Sequence, residues 1–153
     1  MRPYIFWTPT DFATHLKTTA ISLGMGKYII TLIEEAVLSH SWYAPLDYKG
    51  CHGIRDIYHP CISCFIHEYL RMTGQGGQHA DELFYFLMLK EGLTKKHAKK
   101  RWLKVRTIWF LYYKWVHLKN RNVSKYSNSF MNALDALKHD YGIKKAYHGT
   151  DYS

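Results

Sequence analysis

The chain has no run of about 18 apolar residues, so nothing in it reads as a membrane-spanning helix. It has only three cysteines in 153 residues, Cys51, Cys61 and Cys64. An odd, clustered count argues against a disulfide scaffold and for a reducing compartment or a local metal site. Acid is scarce: 12 Asp and Glu against 21 Lys and Arg leave a net charge of +9. That balance points to an anionic partner, whether nucleic acid, a phospholipid surface or an acidic protein. The opening "MRPYIFWTPTDF" lacks an apolar core followed by small residues. Secretion through a signal peptide is therefore not expected. No internal repeat is visible.

What is present is apolar and aromatic. The chain is 47% hydrophobic and 16% aromatic, with five Trp and thirteen Tyr. This is too apolar for a disordered chain and implies large packed surfaces. The length fits one domain over residues 1–153 and can bury a core without staples.

Apolar spacing predicts an all-α fold of five to six helices. Residues 1–9 read as an extended arm. A helix starting near Thr10–Asp11 carries Phe12, Leu16, Ala20 and Leu23 on one face and stops at "GMG". A second covers 27–40. Residues 41–59 have no clean period and read as one long irregular loop, the kind of segment that often carries function. Pro60 suits the first turn of a third helix over 60–73, and "TGQGGQ" breaks it. A fourth helix follows over 79–91. Thr94 can cap a fifth over 95–119, with Ala98, Trp102, Val105 and Trp109 on a heptad-like seam. A sixth covers 126–141, and the tail 143–153 reads as flexible.

Chemistry concentrates in "HPCISCFIHEYLRMTGQGGQHADELF", residues 59–84. The third and fourth helices form an antiparallel hairpin about Gln75–Gly76. His67 lies eight residues before Gln75 and Asp81 six after it. With a rise of about 1.5 Å per residue, the two sit at nearly one level. A carboxylate there fixes the tautomer of the imidazole and leaves its other nitrogen to take a proton from water. Glu68 points about 100° away from His67, toward the loop or solvent, where it can hold a cation.

Cys64-x-x-His67-Glu68-Tyr69-Leu70 followed by Ala80-Asp81-Glu82-Leu83-Phe84 resembles phospholipase A2-type proteins, most closely the short viral and bacteriophage versions. The resemblance implies that His67 is a general base and Asp81 its orienter. It also implies that Glu68 binds calcium, with "YKGCHG" (48–53) supplying loop carbonyls through Tyr48, Gly50 and Gly53. Three departures stand out: Glu replaces the usual Asp at 68, the loop has Gly-x-x-Gly in place of Gly-x-Gly, and the disulfide framework of secreted members is absent. The resemblance covers residues 48–84.

The same helix supports a competing reading. Cys61-x-x-Cys64-x-x-His67, with Cys51 and His52 from the loop, has the ligand types of a zinc site. Zinc ligation and base catalysis by His67 exclude each other. A structural alternative is a His and an Asp that merely flank a helical turn, with Asp81 favoured near a helix start by the macrodipole.

Lys95, Lys96, Lys99, Lys100, Arg101, Lys104 and Arg106 form a basic face with no acid among them. It reads as a solvated face or as a contact for anionic lipid, nucleic acid or a neighbouring subunit. No sequence-reading motif for nucleic acid is present. The expected function is a phospholipase A2-like phage protein, hydrolysing phospholipid esters with calcium and a His–Asp dyad. The alternative is a non-enzymatic virion or assembly protein whose basic helix contacts nucleic acid or other subunits. Either places the protein in the virion or host cytoplasm.

Overall fold

The computed structural model describes residues 8–39, 62–107 and 126–142. Among them are six helices and no strand, so the fold is all-α. They are α1 (Pro9–Ser22), α2 (Lys27–Ser39), α3 (Ile62–Met72), α4 (Gln78–Lys90), α5 (Lys95–Thr107) and α6 (Asn128–Asp140). The segment 41–59, the second half of the predicted 95–119 helix and the tail 143–153 lie outside the described residues.

The N-terminus of α1 falls earlier than the apolar spacing suggests. Thr8 is extended and its hydroxyl accepts from the Asp11 N–H at 3.1 Å. Pro9 then occupies the first turn, where a missing N–H costs nothing. Phe12, Leu16 and Ala20 are fully buried, the periodic face the sequence indicates. α2 buries Ile29, Leu32, Ile33, Ala36 and Val37 and packs against α1, α3 and α6.

One apolar cluster draws on α1, α2, α3, α4 and α6. Phe12 meets Phe65 edge-on, with ring centroids 5.4 Å apart. Each fully buried large side chain in such a cluster stabilises by about 1.5–3 kcal/mol relative to exposure. A smaller cluster of Cys64, Phe84, Met88, Ala98 and Val105 seats α5 on α3 and α4.

The α3–α4 reversal is held at both ends. At the turn, the Gln75 N–H donates to the Leu70 carbonyl at 2.8 Å and the Gly74 N–H to Arg71 at 3.2 Å. With Gly74 at φ +81°, this is a Schellman closure, which satisfies the last carbonyls of α3. Gly77 follows at φ +134°, a backbone region that essentially only glycine adopts. The Gln75 side chain donates to the Thr73 hydroxyl and accepts from the Ser127 N–H at 2.8 Å, tying the turn to the start of α6. At the far end, the Glu91 carboxylate accepts from the N–H groups of Ile62 at 2.7 Å and Ser63 at 3.4 Å. An acid beyond the end of α4 thus caps α3, where orphan donors and the helix dipole favour negative charge. Ile62 pairs with Glu91 and His67 with Asp81, so the two helices run in opposite directions.

Candidate active site at the α3–α4 hairpin

His67 stands on α3 and Asp81 in the first turn of α4. Imidazole Nε2 lies 2.7 Å from Asp81 Oδ1. The imidazole side chain is 11% exposed and the carboxylate 1%. A carboxylate offers only acceptors, so the proton between them belongs to the imidazole: Nε2–H donates to Asp81. In the neutral ring the lone pair then lies on Nδ1, the nitrogen able to accept a proton.

Two features of α4 shape the surroundings. Asp81 and Phe84 are three residues apart and lie on the same side of the helix. The Phe84 ring sits 4.8 Å from the imidazole centroid, tilted by 33°. Phe84 is itself buried against Met88, Ala98 and Val105. The imidazole is therefore gripped by a polar partner at its edge and an apolar ring against its face. Both restrict its orientation, which a base needs if its lone pair is to meet a water at a fixed angle.

Of the two directions expected for Glu68, loop or solvent, burial excludes solvent, and the loop lies outside the described residues. Glu68 is 9% exposed and does not extend into solvent. Among the described residues no group of three His, Cys, Asp or Glu side chains could hold a metal ion. Calcium takes six to eight oxygens, so the described residues do not form a calcium cage by themselves. Tyr48, Gly50 and Gly53 lie outside the described residues, as do Cys51, His52 and Cys61 of the zinc reading. Cys64 is disulfide-bonded. A disulfide sulfur is not the thiolate that zinc requires.

The basic helix divides. Lys95, Lys96, Lys99, Lys100 and Lys104 are exposed. Arg101 is only 8% exposed and lies on the inner side with Ala98 and Val105, so it does not belong to an outward anion-binding face. The placement follows from helical spacing: position 101 falls between 98 and 105 on the stripe that meets α4. The side chain of Arg106 lies outside the described residues. Thr94 caps α5, its hydroxyl accepting from the His97 N–H at 3.2 Å. Among the described residues, no helix is long and apolar enough to cross a membrane.

Sequence reasoning did not anticipate the cap from Glu91 or the tie from Gln75 to Ser127. Neither leaves a local pattern, because the partners are 29 and 52 residues apart. A cleft of about 240 Å³ between α1 and α2, lined in part by Thr14, Lys17, Glu34 and Leu38, contains none of the candidate catalytic residues.

No protein-family model matches the chain, and no curated protein or solved structure matches it.

Proposed function

We propose that the chain is a hydrolase of phospholipase A2 type, acting on phospholipid esters through a His67–Asp81 dyad. The observation that carries this reading is the 2.7 Å contact between Nε2 and Oδ1 across the hairpin. In it, His67 Nδ1 takes a proton from a water as that water attacks the ester carbonyl. Asp81 holds the ring in the Nε2–H tautomer and favours the imidazolium that forms. The imidazolium then returns the proton to the departing alkoxide, giving a free fatty acid and a lysophospholipid. Phe84 keeps one face of the ring dry.

Calcium enters this reading through the resemblance. A bound cation would polarise the ester carbonyl, and Glu68 is the residue that the resemblance assigns to it. The test is fatty-acid release from phosphatidylcholine vesicles, with calcium and with a chelator. Release that needs calcium and is lost in His67→Gln supports the proposal. No release at any calcium level, from protein that stays folded, favours the non-enzymatic assembly protein.

A further inference from the structure

The lysines of α5 differ from the other lysines of the described residues. Lys17 pairs with Glu34 at 3.1 Å, Lys138 with Glu82 at 3.0 Å and Lys90 with Asp140 at 3.4 Å. Lys27 lies 5.2 Å over the ring of Tyr28. Each thus has a carboxylate or a ring within reach. Among the described residues, Lys95, Lys96, Lys99, Lys100 and Lys104 take part in no ion pair, and all five are exposed. Helix α5 has no acid in its first turn, where the macrodipole favours one, and has two lysines there. Five unneutralised cations on one short helix repel one another, and Lys95 and Lys96 in the first turn oppose its dipole. An external polyanion would relieve both.

The arrangement narrows the choice of polyanion. At about 100° per residue, Lys95 and Lys99 lie on one flank of the outward face and Lys100 and Lys104 on the other, with Leu103 and Lys96 along the crest. The five span about 13 Å of helix. Ala98 and Val105, which form the apolar side, are spent against α4. Leu103, 45% exposed, is the large apolar side chain on the outward arc. A helix that lies in a lipid interface needs a broad apolar face to bury there, and among the described residues α5 presents none outward. Two cationic flanks either side of a narrow crest suit a channel walled by phosphates on both sides. The major groove of B-form DNA is about 12 Å wide, close to the 10–12 Å diameter of a helix with its side chains.

We propose that the outward face of α5 docks on double-stranded DNA, with Lys95 and Lys99 on the phosphates of one strand and Lys100 and Lys104 on those of the other. The contact is to the backbone and independent of base sequence, because the crest carries no Arg, Asn or Gln and its one polar side chain, the flexible Lys96, is too little to read a run of base edges. This inference does not depend on the dyad.

Fluorescence anisotropy of labelled DNA duplexes of two unrelated sequences, titrated with the full chain over a range of salt, tests it. Both sequences should bind alike. The log–log salt slope should be about −3.6, at about −0.9 for each of the four phosphates neutralised. Lys96→Ala/Lys100→Ala/Lys104→Ala should flatten that slope by about 2, the share of Lys100 and Lys104, while Lys17→Ala leaves it unchanged. Alanine favours the helix, so the triple variant should keep its circular dichroism and melting temperature. Three results would overturn the proposal: no binding to the duplex, a slope the triple variant does not change, or tighter lysine-dependent binding to phosphatidylglycerol vesicles or to an RNA duplex than to DNA.

Discussion

The α3–α4 hairpin and helix α5 treat their polar side chains in opposite ways. In the hairpin, three polar side chains that leave water meet protein partners: His67 meets Asp81, Glu91 meets the first amides of α3, and Gln75 meets Ser127. On α5, five lysines stay in water and pair with nothing among the described residues. The first pattern fixes geometry, which chemistry at a single atom needs. The second leaves charge available, which long-range attraction needs. One small fold can hold both, because the cluster of Cys64, Phe84, Met88, Ala98 and Val105 lies between them.

The comparison breaks most severely at the dyad. Replacing the base should cost about 10²–10⁴ in turnover. His67→Gln is the sharper variant, because its amide can still donate to Asp81 and the hairpin should stay folded. Circular dichroism and rate, measured together, separate lost chemistry from lost structure.

The far end of the hairpin comes next. Glu91→Ala leaves the N–H groups of Ile62 and Ser63 without that carboxylate. It should lower stability by about 1–2 kcal/mol in a urea melt, the usual size of a lost cap. A change of only a few tenths would mean that water replaces Glu91 at no cost.

These two sites also mark what the sequence reveals and what it hides. Apolar spacing is a local signal, so the helices could be read from residues such as Leu16, Ala20, Ile29 and Leu32. The level of His67 with Asp81 could be read too, because a short turn fixes the register of the two helices it joins. Glu91, Ser127 and the burial of Arg101 could not, since each depends on which helix lies beside which. The start of α1 falls just before the Thr10–Asp11 expected from the sequence, for a different reason. Thr10 and Asp11 are good caps by type, but Pro9 before them already fits a first helical turn and hands the cap to Thr8.

A smaller effect concerns pH. Burial pushes the pKa of His79 below the ordinary imidazole value, Lys138 acts in the same direction, and Glu82 and Asp135 oppose them. The folded chain therefore binds this proton less tightly than the unfolded chain. Stability from this group is complete above about pH 6.5 and is lost as pH falls through the lowered folded value. The melting temperature should drop between about pH 7.5 and 5.5. His79→Phe, which retains a ring against Tyr126, should reduce that drop. His15, also lowered by burial, contributes with the same sign. Equal pH slopes in the two proteins would remove His79 from this role.

The smallest effects sharpen the contrast between lysines. Lys138→Ala loses a contact to Glu82 in which the two side chains are 12% and 21% exposed, and should cost about 0.5–1 kcal/mol. Lys100→Ala should be neutral or stabilising by a few tenths of a kcal/mol, through weaker like-charge repulsion and higher helix propensity. Equal losses in the two variants would mean that the α5 lysines are held by the fold after all.

The central claim is that Asp81 acts on the imidazole during turnover and is more than a buried partner to it. Asp81→Asn tests it most directly, because asparagine keeps an oxygen that can accept from Nε2–H but removes the charge that favours imidazolium. Fatty-acid release by this variant, at a lipid concentration that saturates the wild-type protein, should fall by at least about tenfold while the fold persists. Release at the wild-type rate, or none from the wild-type protein itself, would contradict it.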